Sequence, residues 1–179
     1  MTALPKTLLV DTNVPKTANC ATDPSGIPDD LVGCVTACVE AIEHIRKRGR
    51  LVLDEGDEIF TEYRKELSLS GQPGVGDGFV KWVYNNRWNS SMVDRVGITT
   101  SGASYAEFPN DPALAGFDPS DRKYIAAANT HPNKPPILEA TDCKWWAWNR
   151  PLQQAGISVM FLCQSYVVAK CTSKGIEVL

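Results

Sequence analysis

TLLVDTNV (residues 7–14) sets four β-prone residues ahead of three polar ones. Thr7 to Val10 have the composition of a short buried strand. Asp11, Thr12 and Asn13 then stand at its carboxyl end, at the mouth of the hydrophobic centre. A carboxylate there is costly unless it is paired. What pairs with Asp11 therefore bears on both fold and function.

The pattern that follows is an alternation of helices and strands. A Pro-, Asp- and Gly-containing loop is expected up to about residue 30. Val35, Cys38, Ile42 and Ile45 recur at helical steps, which predicts a helix over 31–48. RLVLDE (50–55) reads as a second strand and DEIFTEYRKEL (57–67) as a second helix with acids in its first turn. SGQPGVGDG (70–78) reads as a loop and lacks the Lys and Ser/Thr of a phosphate-binding P-loop. A helix is expected over 79–88, a strand over 94–100, mostly loop over 101–117 and a helix over 118–129. PPILEATD (135–142) reads as a strand ending in Asp142, followed by a helix near 146–155 and the apolar strand ISVMFLC. This order predicts an α/β fold: a three-layer sandwich around a central, largely parallel sheet. The 179 residues suit a single domain.

Composition narrows the function. A net charge of −3 argues against a uniformly basic nucleic-acid binder but allows an acidic centre working through a metal ion. HIRKRGR (44–50) is the one dense basic run, and it suits the C-terminal end of a helix closed by Gly49. No apolar stretch approaches a membrane span, and the N-terminus lacks a signal-peptide pattern, so a cytoplasmic protein is expected. The six cysteines contain no CxxC pair and are expected as reduced, mostly buried thiols.

In an open parallel sheet the carboxyl ends of the strands form the ligand crevice. Asp11 and Asp142 would converge there if their strands are neighbours. Glu62 and Asp121 lie on helices that begin near the same edge. Each acid also has a plainer reading: Asp121 and Asp142 as helix caps, Glu62 as a solvated helix residue, Asp11 in an Asx-turn. Carboxylates crowded together repel, and a hard cation such as Mg²⁺ or Mn²⁺ relieves the repulsion. Asn13 could orient an acid as a hydrogen-bond donor. No Ser–His or Cys–His pair offers a competing nucleophile.

LLVDTNV, EIFTEYRKEL, FDPSDRKYIAAA and ILEATDCKWW, followed by GISVMFL, together resemble the PIN-domain nucleases over about residues 6–165. The long stretch from Ser68 to Phe117 sets the chain apart from the most compact toxin members. The resemblance implies an Mg²⁺- or Mn²⁺-dependent hydrolase cutting RNA phosphodiester bonds, with Asp11, Glu62, Asp121 and Asp142 as the metal-holding catalytic acids and Thr141 beside the last of them. Where related sequences carry a further acid, this chain has Lys144. Lys144 and Lys123 are candidates for contact with phosphate, and Trp145 for contact with a base. The function so implied is a ribonuclease acting as a toxin, a defence effector or an RNA-processing enzyme. Its partners would be an RNA substrate and an inhibitor or antitoxin protein, with a homodimer left open and no membrane. The alternatives are an inactive PIN-like RNA-binding or scaffolding module, and a metal-dependent phosphatase or DNA-directed nuclease.

Overall fold

The computed structural model describes residues 3–176. Strand β1 (Thr7–Val10) is a run in which Leu8, Leu9 and Val10 are fully buried, as in a strand covered on both faces. It is followed by α1 (Asn13–Asn19), α2 (Asp29–Arg48), β2 (Arg50–Asp54), α3 (Glu58–Glu66), α4 (Val75–Asn86) and β3 (Val93–Val96). A small hairpin, β4 (Thr100–Ser101) and β5 (Ser104–Tyr105), precedes α5 (Arg122–Thr130) and β6 (Ile137–Glu139). The chain then forms α6 (Cys143–Ala147), α7 (Asn149–Gln154), β7 (Val159–Phe161) and α8 (Gln164–Ser173).

Five strands pair in the order β3-β2-β1-β6-β7, and every pairing is parallel. Right-handed crossovers put α1–α4 on one face and α5–α7 on the other, which makes the expected α/β three-layer sandwich. The contacts agree: α1 packs on α2 and α4, and α2 packs on α4. Among the described residues no helix is long and apolar enough to cross a membrane.

Several local expectations need correction. Residues 13–19, read as loop, are helix α1, because Val14, Pro15, Thr17 and Ala18 all find burial. Pro15 is tolerated in the first turn, where no intrahelical N–H is required. The strand at 135–142 is confined to 137–139, and its last residue is Glu139 rather than Asp142. The strand at 94–100 stops at Val96. The glycine-rich segment before Phe79 already belongs to α4, which begins at Val75.

That segment packs on α1 at backbone distance. A Cβ at Gly76 would stand 2.0 Å from the Pro15 carbonyl oxygen, and one at Gly74 2.0 Å from Asn19 Oδ1. The same Asn19 Oδ1 accepts the Asp77 N–H (3.1 Å), while the Asp77 carboxylate accepts the N–H groups of Ser68 and Gly74.

The cysteines also depart from expectation. Cys34 of α2 and Cys163 after β7 form a disulfide with Cα atoms 5.1 Å apart, because α2 runs beside the β7–α8 junction. Cys38, Cys143 and Cys171 are free and buried, and Cys20 is free and exposed.

The bond links residues 129 apart. A native disulfide typically contributes about 2–4 kcal/mol, more for longer loops. Cys34→Ser is expected to lower the urea-unfolding free energy by about that amount in non-reducing buffer. Reductant should remove most of the difference between variant and wild type; a difference that persists would assign the loss to packing.

Candidate active site

The chain leaves β1 toward β2 and β3, but leaves β6 in the other direction, toward β7. Adjacent strands whose connections diverge open a crevice at their carboxyl ends. Leu9 pairs with Ile137 and Val10 with Leu138, so Asp11 and Glu139 come next, side by side. The Asp11 N–H donates to the Leu138 carbonyl (2.9 Å), which fixes Asp11 to the end of β6.

Asp11 is buried, and its Oδ1 accepts both the backbone N–H (2.8 Å) and the side-chain Nδ2 (2.9 Å) of Asn13. Asn13 thus gives two donors to one oxygen of Asp11. Burial pushes the Asp11 carboxyl up to about 6, against the pull of the Asn13 N–H and the Glu139 carboxyl. Glu139 is fully buried, and its Oε1 accepts the N–H groups of Ala140 (2.9 Å) and Asp142 (3.0 Å). Its Oε2 has no donor from the chain. Burial, and next the Asp11 carboxyl beside it, drive Glu139 well above the ordinary carboxylate range. Two adjoining carboxyls with one orphaned oxygen need a shared proton or a cation.

Glu62, on α3, is held by a hydroxyl network. Thr12 Oγ1 donates to its Oε1 (2.6 Å), and Tyr124 OH lies 2.8 Å from Thr12 Oγ1 and 3.2 Å from the same carboxylate oxygen. Its other oxygen pairs with Lys123 Nζ, which also donates to the Ser120 carbonyl. Asp121 is the N-cap residue of α5 but makes no side-chain capping bond; Asp118 instead binds the Ser120 N–H (3.0 Å). The Asp121 carboxyl is therefore left to the crevice. Burial, followed by repulsion from Asp11, Asp118 and Glu62, pushes it up to about 7.

Asp11, Glu62 and Asp121 line one open cavity of about 480 Å³ together with Asn13, Lys16 and Lys123. Asp142 does not share that lining. Its carboxylate caps α6 by accepting the Lys144 N–H (2.8 Å), and its own N–H goes to Glu139. The Thr141 carbonyl accepts Lys170 Nζ of α8 (2.7 Å). Lys144 Nζ pairs with Asp118 Oδ2 (3.0 Å) at the neighbouring cavity. Trp145 is 1% exposed and sits edge-on to Phe117 and Tyr124, so it offers no open face to a base.

Glu139, Thr12 and Tyr124 escaped the sequence reading. Glu139 carried a signal, since the apolar pair Ile137–Leu138 runs directly into it as Val10 runs into Asp11. The three cavity acids and the orphaned Glu139 oxygen form an all-oxygen set suited to a hard cation. Among the described residues, Cys34, Cys38 and Cys163 are the one group of three His, Cys, Asp or Glu ligand atoms all within 4.8 Å of one another. The acids do not form such a group, so a cation held by them would need water to complete its ligand set.

No protein-family model, curated protein or solved structure matches the chain.

In the folded protein Asp11 and Asp121 titrate at about 6 and about 7, above the usual 3.8 of an aspartate. The native state then binds more protons than the unfolded chain between those limits, so the stability these groups contribute is present at low pH and lost as pH rises through the folded values. In chelator, the urea-unfolding free energy is expected to fall between about pH 4 and pH 7. Asp121→Asn should flatten that slope; an unchanged slope in the variant would remove Asp121 from the cluster.

Proposed function

We propose that this chain is a divalent-metal-dependent ribonuclease of PIN-like type, cutting RNA in the crevice at the ends of β1 and β6. The observation that carries the reading is the convergence of Asp11, Glu62 and Asp121 on one open cavity, with the unpartnered Glu139 oxygen beside Asp11. Asp11, Glu62 and Asp121 would hold Mg²⁺ or Mn²⁺. Asp142 would act from behind, its N–H fixing Glu139. The bound cation would supply an activated water and neutralise charge at the scissile phosphate.

The chain's own residues do the rest. Asn13 holds the Asp11 carboxylate in a single orientation, and the Thr12–Tyr124 pair does the same for Glu62. Lys16, Lys65 and Lys123 line the cavity and would meet an anionic backbone there, with Lys16 paired to Glu66 and Lys123 to Glu62. A cytoplasmic location belongs to this reading, and in that compartment the Cys34–Cys163 bond would be held reduced.

One feature favours the inactive-module reading. Lys123 already pairs with Glu62 inside the cavity and supplies the charge that a metal would bring. Cleavage assays separate the two. Asp11→Asn and Asp121→Asn are expected to cut Mn²⁺-dependent hydrolysis of single-stranded RNA by orders of magnitude while far-UV circular dichroism stays native. Wild-type protein that binds this RNA and leaves it intact in Mn²⁺ and Mg²⁺ would favour the module.

Metal binding has its own readout. Mn²⁺ at a hundredfold excess over its dissociation constant should stabilise the wild type by about 2.7 kcal/mol through mass action. The thermal shift should be much smaller for Asp11→Asn. Equal shifts in both proteins would place the cation elsewhere.

A further inference from the structure

On the opposite side of α2 from its solvent face lies a second cluster of ligand-type side chains, unrelated to the acids. Cys34 and Cys38 stand one turn apart on α2, and Cys163 meets them from the β7–α8 junction. All three are buried, at 4%, 0% and 6% exposure, and their Sγ atoms all lie within 4.8 Å of one another. A disulfide uses two of these sulfurs and leaves the third, Cys38, as a free thiol against the bond. Burial, followed by the nearby Glu139 carboxyl, holds the Cys38 thiol well above its ordinary range, so an incoming cation has to displace its proton.

We propose that Cys34, Cys38 and Cys163, once reduced, form a buried three-thiolate site for a thiophilic d¹⁰ cation such as Zn²⁺ or Cu⁺. The dimensions fit. Metal–sulfur bonds of about 2.3 Å in tetrahedral geometry set sulfurs roughly 3.8 Å apart, so the bonded Cys34 and Cys163 sulfurs part on reduction while all three stay within the 4.8 Å that already encloses them. Thiolates are the ligands that select such ions over the hard cations suited to carboxylates. Cys163 is the N-cap residue of the ten-residue α8, where the positive end of the helix favours a thiolate. An open groove lined by Asp30, Gly33, Cys34, Cys163, Tyr166 and Ala169 gives an ion a path from solvent.

The site has two exclusive states. Forming the Cys34–Cys163 bond removes two electrons from two thiolates, passes them to an oxidant and expels the ion. A phosphine or dithiol reductant returns the two electrons and, with two protons, restores two thiols. Either state ties α2 to the start of α8, by a covalent bond or by coordination. The site does not depend on the nuclease reading.

The test uses the full chain, reduced with a phosphine and freed of it without air, and titrated with Cd²⁺ as the spectroscopic probe. Thiolate-to-cadmium charge-transfer absorption is expected to saturate at one ion per chain. Protein reoxidised with diamide should show none. Cys38→Ser should weaken Cd²⁺ binding by more than the roughly tenfold that loss of an outer partner costs a metal site, while Cys171→Ser leaves it unchanged. Competition against Zn²⁺ and against chelator-buffered Cu⁺ then ranks the two ions. In the wild type, bound Cd²⁺ should also protect Cys34, Cys38 and Cys163 together from alkylation, read by mass spectrometry, which holds even if the serine variant misfolds. A folded, reduced wild type without the absorption band, or with alkylation of the three unaffected by Cd²⁺, overturns the proposal.

Discussion

Two carboxyls meet where β1 and β6 end, and the rest of the crevice is arranged around that contact. Parallel pairing of Val10 with Leu138 makes Asp11 and Glu139 neighbours whatever their charge. A buried pair of this kind cannot stay doubly ionised without help. The protein supplies backbone and Asn13 N–H donors to one oxygen of each and leaves the Glu139 Oε2 without any. The unmet demand is confined to a single spot, buried behind Asp11, and Asp11 itself lines the cavity that Glu62 and Asp121 reach from the helices.

The same economy explains Lys123. It is 7% exposed, an unusual place for an ammonium, and its partners are Glu62 and the Ser120 carbonyl. A lysine held on α5 at this point acts as a built-in countercharge, so the acids can be assembled before any ion or substrate comes. Whatever binds must displace or accept that ammonium. This sets a threshold that a purely acidic pocket would lack.

Much of this was legible in the sequence where a pattern is local. The apolar run closing on Asp11 marks β1, the helical spacing of Val35, Cys38, Ile42 and Ile45 marks α2, and the strand–helix alternation gives the layered fold. Asp11, Glu62 and Asp121 were likewise readable as a set. What was not legible depends on register and on distant partners. ILEATD offers two acids, and the pairing of β6 with β1 alone decides that Glu139, not Asp142, is level with Asp11. Helix α1 exists because α4 covers it, so Pro15 misleads when read by itself. Trp145 follows a site acid in sequence, yet its ring is taken by Phe117 and Tyr124 from elsewhere in the chain. The partnership of Cys34 with Cys163 spans most of the protein, and no spacing rule reaches that far.

The absence of side chains at Gly74 and Gly76 has a mechanical meaning. Their backbone touches α1 directly, at Pro15 and Asn19, and α1 starts with the very residue whose two nitrogen donors hold Asp11. The start of α4 and the acidic crevice thus lie at two ends of the short helix α1. A molecule wedged into the seam between α1 and α4 would press on α1 and, through it, on the two Asn13 donors that hold Asp11.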